Sequence, residues 1–426
     1  MSYVNSFFDF IKASSDALHA VATVRARLLS EGYSELFEGD SWELSDGGKY
    51  FVIRGGSSII AFRNRSSAGG YNLCSAHTDS PTFKVKPSIS TLGAYVRLDV
   101  EKYGGAIHYT WLDRPLSVSG RVLVRCERGV ESRLVKLDRD LLVIPSLAIG
   151  MKPDINSELT LNLATDLQPL FSSRDSRCDL LSIIANELSV KAEDILSHDL
   201  QLYTRQEPTL VGAEGEFILC PRFDDLSCAY CALEGFLASS DTGSIPVLAL
   251  FDNEEVGSET KQGAASTFLY DVLRRISYQE ETYLRRVANS FMVSCDVAHA
   301  LHPAHPELSD ANNAPRLGGG VVIKYNANQR YATDGEAAAL FKLICDKAGV
   351  PTQSFCVRAD RPCGSTLGHV STSVVSVPTV DIGLSQLAMH SAVETGSAKD
   401  IDYMVNSIKE YYSHSLKREG EKLIIS

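Results

Sequence analysis

Apolar positions recur along the chain with two different spacings. From Phe7 to Glu31 they follow the three- and four-residue spacing of a helix, and Gly32 comes directly after the last apolar turn. After this region the apolar residues form short runs separated by glycine and serine, which predict strands at 50–54, 58–63 and 71–75. We therefore expect one N-terminal amphipathic helix that packs on a sheet.

The rest of the chain divides into two regions that differ in their predicted secondary structure. Between about residues 87 and 219, alternating apolar and polar positions predict strands, with one helix near 177–188. After residue 223, predicted helices and strands alternate, beginning with a helix at 226–238 and ending with a helix at 401–417. This order predicts an α/β fold in which both chain ends build one catalytic domain, residues 1–85 and 220–426, interrupted by a β-rich domain at 86–219.

Composition and charge exclude several classes of function. The 426 residues carry 53 acidic and 41 basic side chains, a formal net charge of −12, which disfavours nucleic acid or an anionic membrane as a partner. No apolar run approaches the roughly 18 residues of a membrane span, and residues 1–12 do not resemble a signal peptide. Ten scattered cysteines are typical of a reducing compartment, so we expect a cytoplasmic protein.

Two short motifs follow apolar runs that predict strands. His77 and Asp79 follow the first run, and a histidine there can ligate zinc while the carboxylate fixes its tautomer. Glu254 and Glu255 follow the apolar run 248–251, and adjacent carboxylates at a strand end are costly to bury without a cation. One of these glutamates can bind metal while the other acts as a general base. The alternatives are a surface histidine near an aspartate for the first motif and a solvated acidic turn for the second.

Three further candidates have simpler alternatives. Asp224 begins a predicted helix and fits an N-cap equally well, Asp296 ends a predicted strand, and His390 fits a satisfied core histidine. In chain order, however, the five segments supply the histidines, carboxylates and free base that two zinc ions about 3.5–4 Å apart require. We therefore expect a two-metal hydrolytic site.

Six segments resemble those of the aspartyl aminopeptidase family, a group of dinuclear zinc exopeptidases, and they are distributed over almost the whole chain: 75–81, 222–226, 252–263, 294–303, 324–332 and 386–391. The resemblance implies a mixed-sheet zinc exopeptidase-like catalytic domain with helices on both faces, and an inserted domain that serves dimerisation or oligomerisation. It also implies a homo-oligomer, a tetrahedral dodecamer, and two zinc ions per subunit, with manganese or cobalt as alternatives.

The resemblance also assigns roles to individual residues. His77 and Asp296 would bind the first metal, Asp224 would bridge both metals, and Glu255 and His390 would complete the second site. Glu254 would be the catalytic base and Asp79 would support His77. Lys324 and Tyr331 would contact the substrate, with Lys324 placed to bind an acidic side chain.

We therefore predict an aminopeptidase that removes N-terminal residues from peptides, with a preference for Asp or Glu. Gly150 is a departure, because the family usually has a histidine there that a neighbouring subunit receives in its active site. A metal-dependent deacylase or carboxypeptidase and a non-catalytic assembly protein remain as alternatives. A serine hydrolase is disfavoured, because 364–368 does not match the spacing of a nucleophile elbow.

Overall fold

The computed structural model describes residues 2–176 and 178–426. It divides into two compact units. The first unit comprises Met1–Asp79, Pro208–Met389 and Glu394–Ser426, and the second comprises Ser80–Glu207 and His390–Val393. Within the described part of the chain, no helix is both long enough and apolar enough to cross a membrane.

The helices are numbered in chain order: α1 Val4–Ala13, α2 Ala17–Ser30, α3 Leu180–Leu188, α4 Phe223–Ala238, α5 Phe268–Ser277, α6 Glu280–Ala288, α7 Gly335–Ala348, α8 Leu367–Val374 and α9 Ala398–Tyr412. The strands are β1 Ser34–Leu36, β2 Lys49–Arg54, β3 Ser58–Arg63, β4 Tyr71–His77, β5 Thr82–Leu92, β6 Tyr95–Tyr103, β7 Leu116–Cys126, β8 Gly129–Lys136, β9 Leu170–Ser173, β10 Ile195–Thr204, β11 Thr209–Val211, β12 Phe217–Cys220, β13 Ile245–Phe251, β14 Phe291–Cys295, β15 Ala298–His299, β16 Val321–Tyr325, β17 Thr352–Cys356, β18 Thr379–Gly383, β19 Ser385–Gln386, β20 Glu394–Ser397, β21 Leu416–Glu419 and β22 Lys422–Ile425.

The first unit is built around a nine-stranded mixed sheet in the order β1-β2-β3-β13-β4-β14-β18-β16-β17. Neighbouring residues on a strand pack on opposite faces, because side chains alternate along an extended backbone. Cys74 of β4 belongs to the apolar core that contains residues of α1, α2, α4, α7 and α9, whereas its neighbour Leu73 belongs to the core that contains residues of α5 and α8. The predicted α/β class, with a mixed sheet covered by helices on both faces, is confirmed.

The second unit contains a six-stranded antiparallel sheet in the order β8-β7-β10-β5-β6-β9. Its core is formed by alternate side chains of these strands together with α3, including Ile184. The start that the sequence predicts for α3, at Arg177, lies outside the described residues; the helix begins at Leu180, where Asp179 caps it through a bond to the Ser182 amide at 2.9 Å.

The single helix predicted from Phe7 to Glu31 is wrong, because the structure has two helices there. α1 ends at Ala13, and α2 begins at Ala17 after Asp16 accepts a hydrogen bond from the His19 amide at 3.0 Å. Aspartate competes for backbone N–H groups in this way and so starts a new helix. The predicted glycine at the end is correct, since Gly32 has φ +80° directly after α2.

Candidate metal centre

The predicted site residues of the first unit follow strands that lie side by side. β4 pairs in parallel with both β13 and β14, so the carboxyl ends of the three strands meet at one edge of the sheet. His77 is the last residue of β4, Asp296 follows β14, and Glu254 and Glu255 lie in a short 3₁₀ turn just after β13.

His77 is buried in the middle of a group of carboxylates. Its Nε2 lies 3.3 Å from Asp224 Oδ1 and 4.0 Å from Asp296 Oδ1. On the other side of the ring, Nδ1 lies 3.1 Å from the Asp79 carbonyl oxygen and 3.3 Å from Asp79 Oδ1. Because Asp79 offers only acceptors to Nδ1, a proton belongs on Nδ1, and Nε2 is the nitrogen that would bind a metal ion in place of its own proton.

Asp79 also holds the turn that carries the glutamates. Its Oδ1 accepts a hydrogen bond from the Glu254 amide and its Oδ2 accepts one from the Glu255 amide, each at 3.1 Å. One buried carboxylate therefore orients the histidine and anchors the backbone of the paired glutamates.

Asp224 is not the N-cap that the sequence offered as an alternative. Arg222 occupies that position in the left-handed conformation, and Asp224 lies inside the first turn with φ −80° and ψ 112°. The Asp224 amide donates to Glu394 Oε2 at 3.0 Å. Its neighbour Asp225 accepts a bond from the His77 amide through Oδ2 at 3.1 Å.

Among the described residues of the first unit, two sets of side chains bring their donor atoms within 4.8 Å of one another. The first consists of His77, Asp224, Asp225 and Asp296, all buried, and the second consists of His77, Glu254 and Glu255. Imidazole nitrogen and carboxylate oxygen are ligands that zinc accepts. Several buried carboxylates with one histidine repel one another unless a cation or protons neutralise them, so the donor set fits a metal ion.

The pKa values of the cluster show this excess of negative charge. Burial lowers the pKa of His77, but the nearby carboxylates of Asp225, Asp224 and Asp79 outweigh it and hold the pKa well above its ordinary value. Burial and the neighbouring carboxylates raise the pKa of Glu254 to about 8, although His77 opposes the shift. Burial and the Asp224 charge also raise the pKa of Glu255 well above its ordinary value.

Lys324 is the cation in contact with this cluster. It is only 2% exposed, its Nζ lies 3.3 Å from Asp296 Oδ2, and it donates to the Val297 carbonyl oxygen at 3.0 Å. Burial lowers the pKa of Lys324, but Asp296 and Asp381 raise it more, so the ammonium group is charged. Its Nζ lies 5.1 Å from the centre of the Tyr331 ring. Lys324 therefore contacts Asp296 Oδ2, whereas His77 faces Asp296 Oδ1.

His390 belongs to the second unit, where it has φ +68° and its Nδ1 lies 3.2 Å from the Gly105 carbonyl oxygen. A proton on Nδ1 satisfies that carbonyl, and a contact of this kind fixes the orientation of a histidine ring. Its role in the second metal site stays a prediction. Gly150 lies in the exposed loop of the same unit, and a Cβ added there would meet nothing within 4 Å.

Two buried carboxylates at the cluster were missed. Asp225 had a signal in the sequence, because it forms an acidic pair with Asp224 just before an apolar helix. Glu394 had none, since it follows Ala392 and Val393 in a stretch without recognisable motif and reaches Asp224 only through the pairing of β20 with β12.

The chain matches proteins of known family over almost its whole length. The family model described as aminopeptidase I zinc metalloprotease (M18) matches residues 10–412. A probable M18 family aminopeptidase 2 of Clostridium novyi is 40% identical over 97% of this chain and 99% of its own length. One of Pseudomonas aeruginosa is 40% identical over 96% of this chain and 97% of its own length.

Solved structures agree with this assignment. The fold is similar to that of Ape4 in a complex with Nbr1, with a TM-score of 0.93, 36% identity, and coverage of 96% of this chain and 85% of the other. It is also similar to mApe1 of Chaetomium thermophilum, with a TM-score of 0.86, 31% identity, and coverage of 96% and 97%. The resemblance to the aspartyl aminopeptidases is confirmed, and the deacylase and non-catalytic alternatives give way to a peptidase. The chain belongs to the M18 family of zinc metallopeptidases and is a metal-dependent aminopeptidase.

Proposed function

We propose that this aminopeptidase works with two zinc ions and that the residues of the cluster have distinct roles. His77 and Asp296 bind the first ion, Asp224 bridges the two ions, and Glu255 and His390 complete the second site. The short distances from His77 Nε2 to Asp224 and Asp296 support the first site. The raised pKa of Glu255 is consistent with the second.

Zinc ions at these ligands would polarise the scissile carbonyl and acidify a water molecule. Glu254 then takes the proton of the attacking water and delivers it to the departing amine. A carboxylate that lies beside the metal ligands without being one of them can make both transfers, because it accepts a proton from water and releases it to the amine. Asp79 keeps the Glu254 backbone in place during both transfers.

The observation that carries the proposal is the buried cluster of donors around His77 with Glu254 beside it. Glu254→Gln keeps the shape and removes the base, so we expect kcat for a leucine chromogenic amide to fall about 10²- to 10⁴-fold. Glu259→Gln, an exposed glutamate in the same loop region, is the matched control and should keep full activity. Bound zinc, counted by elemental analysis, should remain at two ions per chain in both variants. Retained turnover in Glu254→Gln would refute the assignment of the base.

Removing and returning the metal tests whether hydrolysis depends on zinc and on how many ions. Chelation should abolish hydrolysis, and return of zinc should restore it, with manganese and cobalt as alternatives to compare. A metal content of one ion per chain at full activity would contradict the two-ion proposal and leave the aminopeptidase assignment intact.

We further propose that the enzyme prefers an acidic first residue. The Lys324 ammonium group has three hydrogens, and the structure gives it two oxygen contacts, Asp296 and the Val297 carbonyl. Its remaining hydrogen supports a role in binding a substrate carboxylate beside the metal ligands. Chromogenic amides of Asp, Glu and Leu test this directly. Faster release from Asp or Glu is expected, whereas faster release from Leu would remove the acidic preference and keep the enzyme class.

Assembly and location are also proposals. One similar solved structure, 27% identical over 96% of both chains with a TM-score of 0.85, is a dodecamer of mApe1 from yeast. The loop near Gly150 exposes Leu147, Ile149 and Met151, the last with 75% of its surface exposed, which supports burial against another subunit. We expect a mass near twelve times 46.5 kDa by light scattering. All ten cysteines are free thiols, which supports a cytoplasmic location.

A further inference from the structure

A second feature of the first unit lies next to the cluster. A cavity of about 910 Å³, here called the arginine cavity, is lined by Arg330, Arg358 and Arg361, together with Tyr325, Cys363 and Asp310 among others. Its volume lies within the roughly 300–1,000 Å³ that is usual for ligand sites. Three guanidinium groups around one cavity are unusual in a chain whose net charge is −12.

The cavity keeps an excess of positive charge. Arg358 is partly neutralised, because its Nε lies 2.9 Å from Asp360 Oδ1. For Arg330 and Arg361, no carboxylate of the described residues lies within ion-pair distance of the guanidinium group. Asp310 adds one negative charge to the lining, since bonds from the Asn312 amide at 3.0 Å and from the Asn313 amide at 2.9 Å to its Oδ1 keep the carboxylate ionised, but the three arginines still outnumber Asp310 and Asp360.

A chain of contacts joins the arginine cavity to the candidate metal centre. The Cys363 side chain on the cavity wall packs against the buried apolar group that contains Tyr331, and Tyr331 follows Arg330 in the chain. The Tyr331 ring lies 5.1 Å from Lys324 Nζ, which lies 3.3 Å from Asp296 Oδ2. The cavity and the cluster are therefore separated by one aromatic ring and one lysine.

We propose that the arginine cavity binds carboxylate groups of the peptide substrate that follow its first residue. These groups are Asp or Glu side chains at later positions, or the C-terminal carboxylate of a short peptide. A guanidinium group matches a carboxylate with two parallel hydrogen bonds, and Arg330 and Arg361 have both of theirs available. The inference rests on the proposed function, because it takes the cluster as the place where the first residue is held.

The experiment uses substrates that share a neutral first residue, so that Lys324 plays no part. Leu-Ala-Asp-Asp and Leu-Ala-Asn-Asn, both amidated at the C-terminus, differ only in the carboxylates that would enter the cavity. Leucine p-nitroanilide has no later residue and reports the metal centre alone. The variant is Arg330→Gln/Arg361→Gln, and Arg128→Gln, an exposed arginine of the second unit, is the matched control.

In the wild type and in Arg128→Gln we expect kcat/KM for the Asp peptide to exceed that for the Asn peptide about fivefold to tenfold, because partly exposed ion pairs contribute modestly. The double variant should lose this ratio through a higher KM, with unchanged kcat and unchanged hydrolysis of leucine p-nitroanilide. Equal rates on both peptides in the wild type would overturn the proposal while leaving the enzyme assignment in place.

Binding measurements keep the two proposals distinguishable. If none of the p-nitroanilides of Leu, Asp and Glu is hydrolysed, the proposed function fails, and calorimetric binding of acetyl-Ala-Asp-Asp amide to the metal-loaded wild type and double variant decides the cavity by itself. Equal binding in both would overturn the inference, and binding lost only in the double variant would support it. Inorganic phosphate is the competing probe. If phosphate binding requires Arg330 and Arg361, and the wild type shows equal kcat/KM for the Asp and Asn peptides, the cavity is a phosphate site and the inference is overturned.

Discussion

Asp79 connects the histidine of the candidate metal centre to its paired glutamates. The sequence predicts the first connection, because a carboxylate two residues after a ligating histidine commonly orients the ring. The second connection, to the Glu254 and Glu255 amides, depends on how β4 and β13 pair and is not visible in the sequence. A short motif thus indicates a partner within two residues but not one that lies 175 residues away.

Replacing Asp79 with Asn tests this double role. The amide side chain offers one acceptor in place of two, so one of the two glutamate N–H groups loses its partner and faces an NH₂ donor instead. We expect kcat/KM for leucine p-nitroanilide to fall about 10- to 100-fold, together with weaker zinc binding measured by competition with a chelator.

The matched control for this change is Asp46→Asn. Asp46 also accepts a backbone N–H bond, from Ser66 at 2.7 Å, but it is exposed and takes no part in the cluster. It should retain full activity. Equal activity in Asp79→Asn and Asp46→Asn would show that the Asp79 contacts do not matter for the site.

At the level of single elements, the break between α1 and α2 shows why helical periodicity alone does not predict where a helix ends. The apolar spacing continues across residues 14–16, and a spacing argument therefore predicts one helix. Ser14, Ser15 and Asp16 are all buried, and Asp16 uses its carboxylate to satisfy the His19 amide and to contact His19 Nδ1 at 2.7 Å. The hydrogen bonds of the Asp16 side chain, and not the apolar spacing, therefore determine where α2 begins.

Asp16→Ala should therefore weaken α2. Loss of an N-cap costs about 1 kcal/mol, so we expect the free energy of unfolding from urea denaturation to fall by about that amount. Asp9→Ala, at an exposed position within α1, is the control and should change it by less than about 0.5 kcal/mol. A loss no larger than that of Asp9→Ala would show that the cap does not stabilise α2.

The packing of α4 against α9 makes a second prediction at this scale. A Cβ added to Gly235 would lie 2.6 Å from Ile408 Cγ2 and 2.9 Å from the Lys409 backbone nitrogen. Gly235→Ala should lower the free energy of unfolding by about 1–3 kcal/mol, because backbone in the close contact cannot move aside.

The chain offers a matched glycine for comparison. Gly335 is the first residue of α7, and a Cβ there would meet nothing within 4 Å. Gly335→Ala should be neutral or slightly stabilising, since alanine loses less backbone entropy in a helix. Similar effects of Gly235→Ala and Gly335→Ala in urea denaturation would contradict the close contact between α4 and α9.

At the scale of the whole molecule, the sequence predicts which strands end in candidate metal ligands. It predicts less well which other side chains pack around those ligands. His77, Glu254 and Asp296 follow apolar runs, and the rule that ligands gather at the carboxyl ends of parallel strands was sufficient to group them. Asp225 and Glu394 come to the same place through the start of α4 and through the pairing of β12 with β20. Contacts of that kind depend on tertiary structure and leave no periodic signal.

The concentration of buried carboxylates also predicts how stability depends on pH and metal. In the metal-free protein, burial raises the pKa of Glu254 to about 8, and the pKa values of Glu255, Asp225 and Asp296 are raised as well. The pKa of His77 is raised despite its burial. Each of these groups binds more protons in the folded chain than in the unfolded chain, so each makes stability fall as pH rises through the shifted pKa.

Zinc reverses this trend, because it binds the same side chains in their deprotonated form and so stabilises the folded chain more at higher pH. We expect the increase in Tm on adding zinc to the chelated protein to be larger at pH 8 than at pH 5.5, measured by scanning calorimetry. Groups far from the cluster titrate in both the chelated and the zinc-loaded protein, so their effects cancel in the difference between the two Tm values. Glu254→Gln removes one titrating group and should make the metal-free protein less sensitive to pH between about 5 and 8. A zinc-induced increase in Tm that is independent of pH would show that zinc does not displace protons from this cluster.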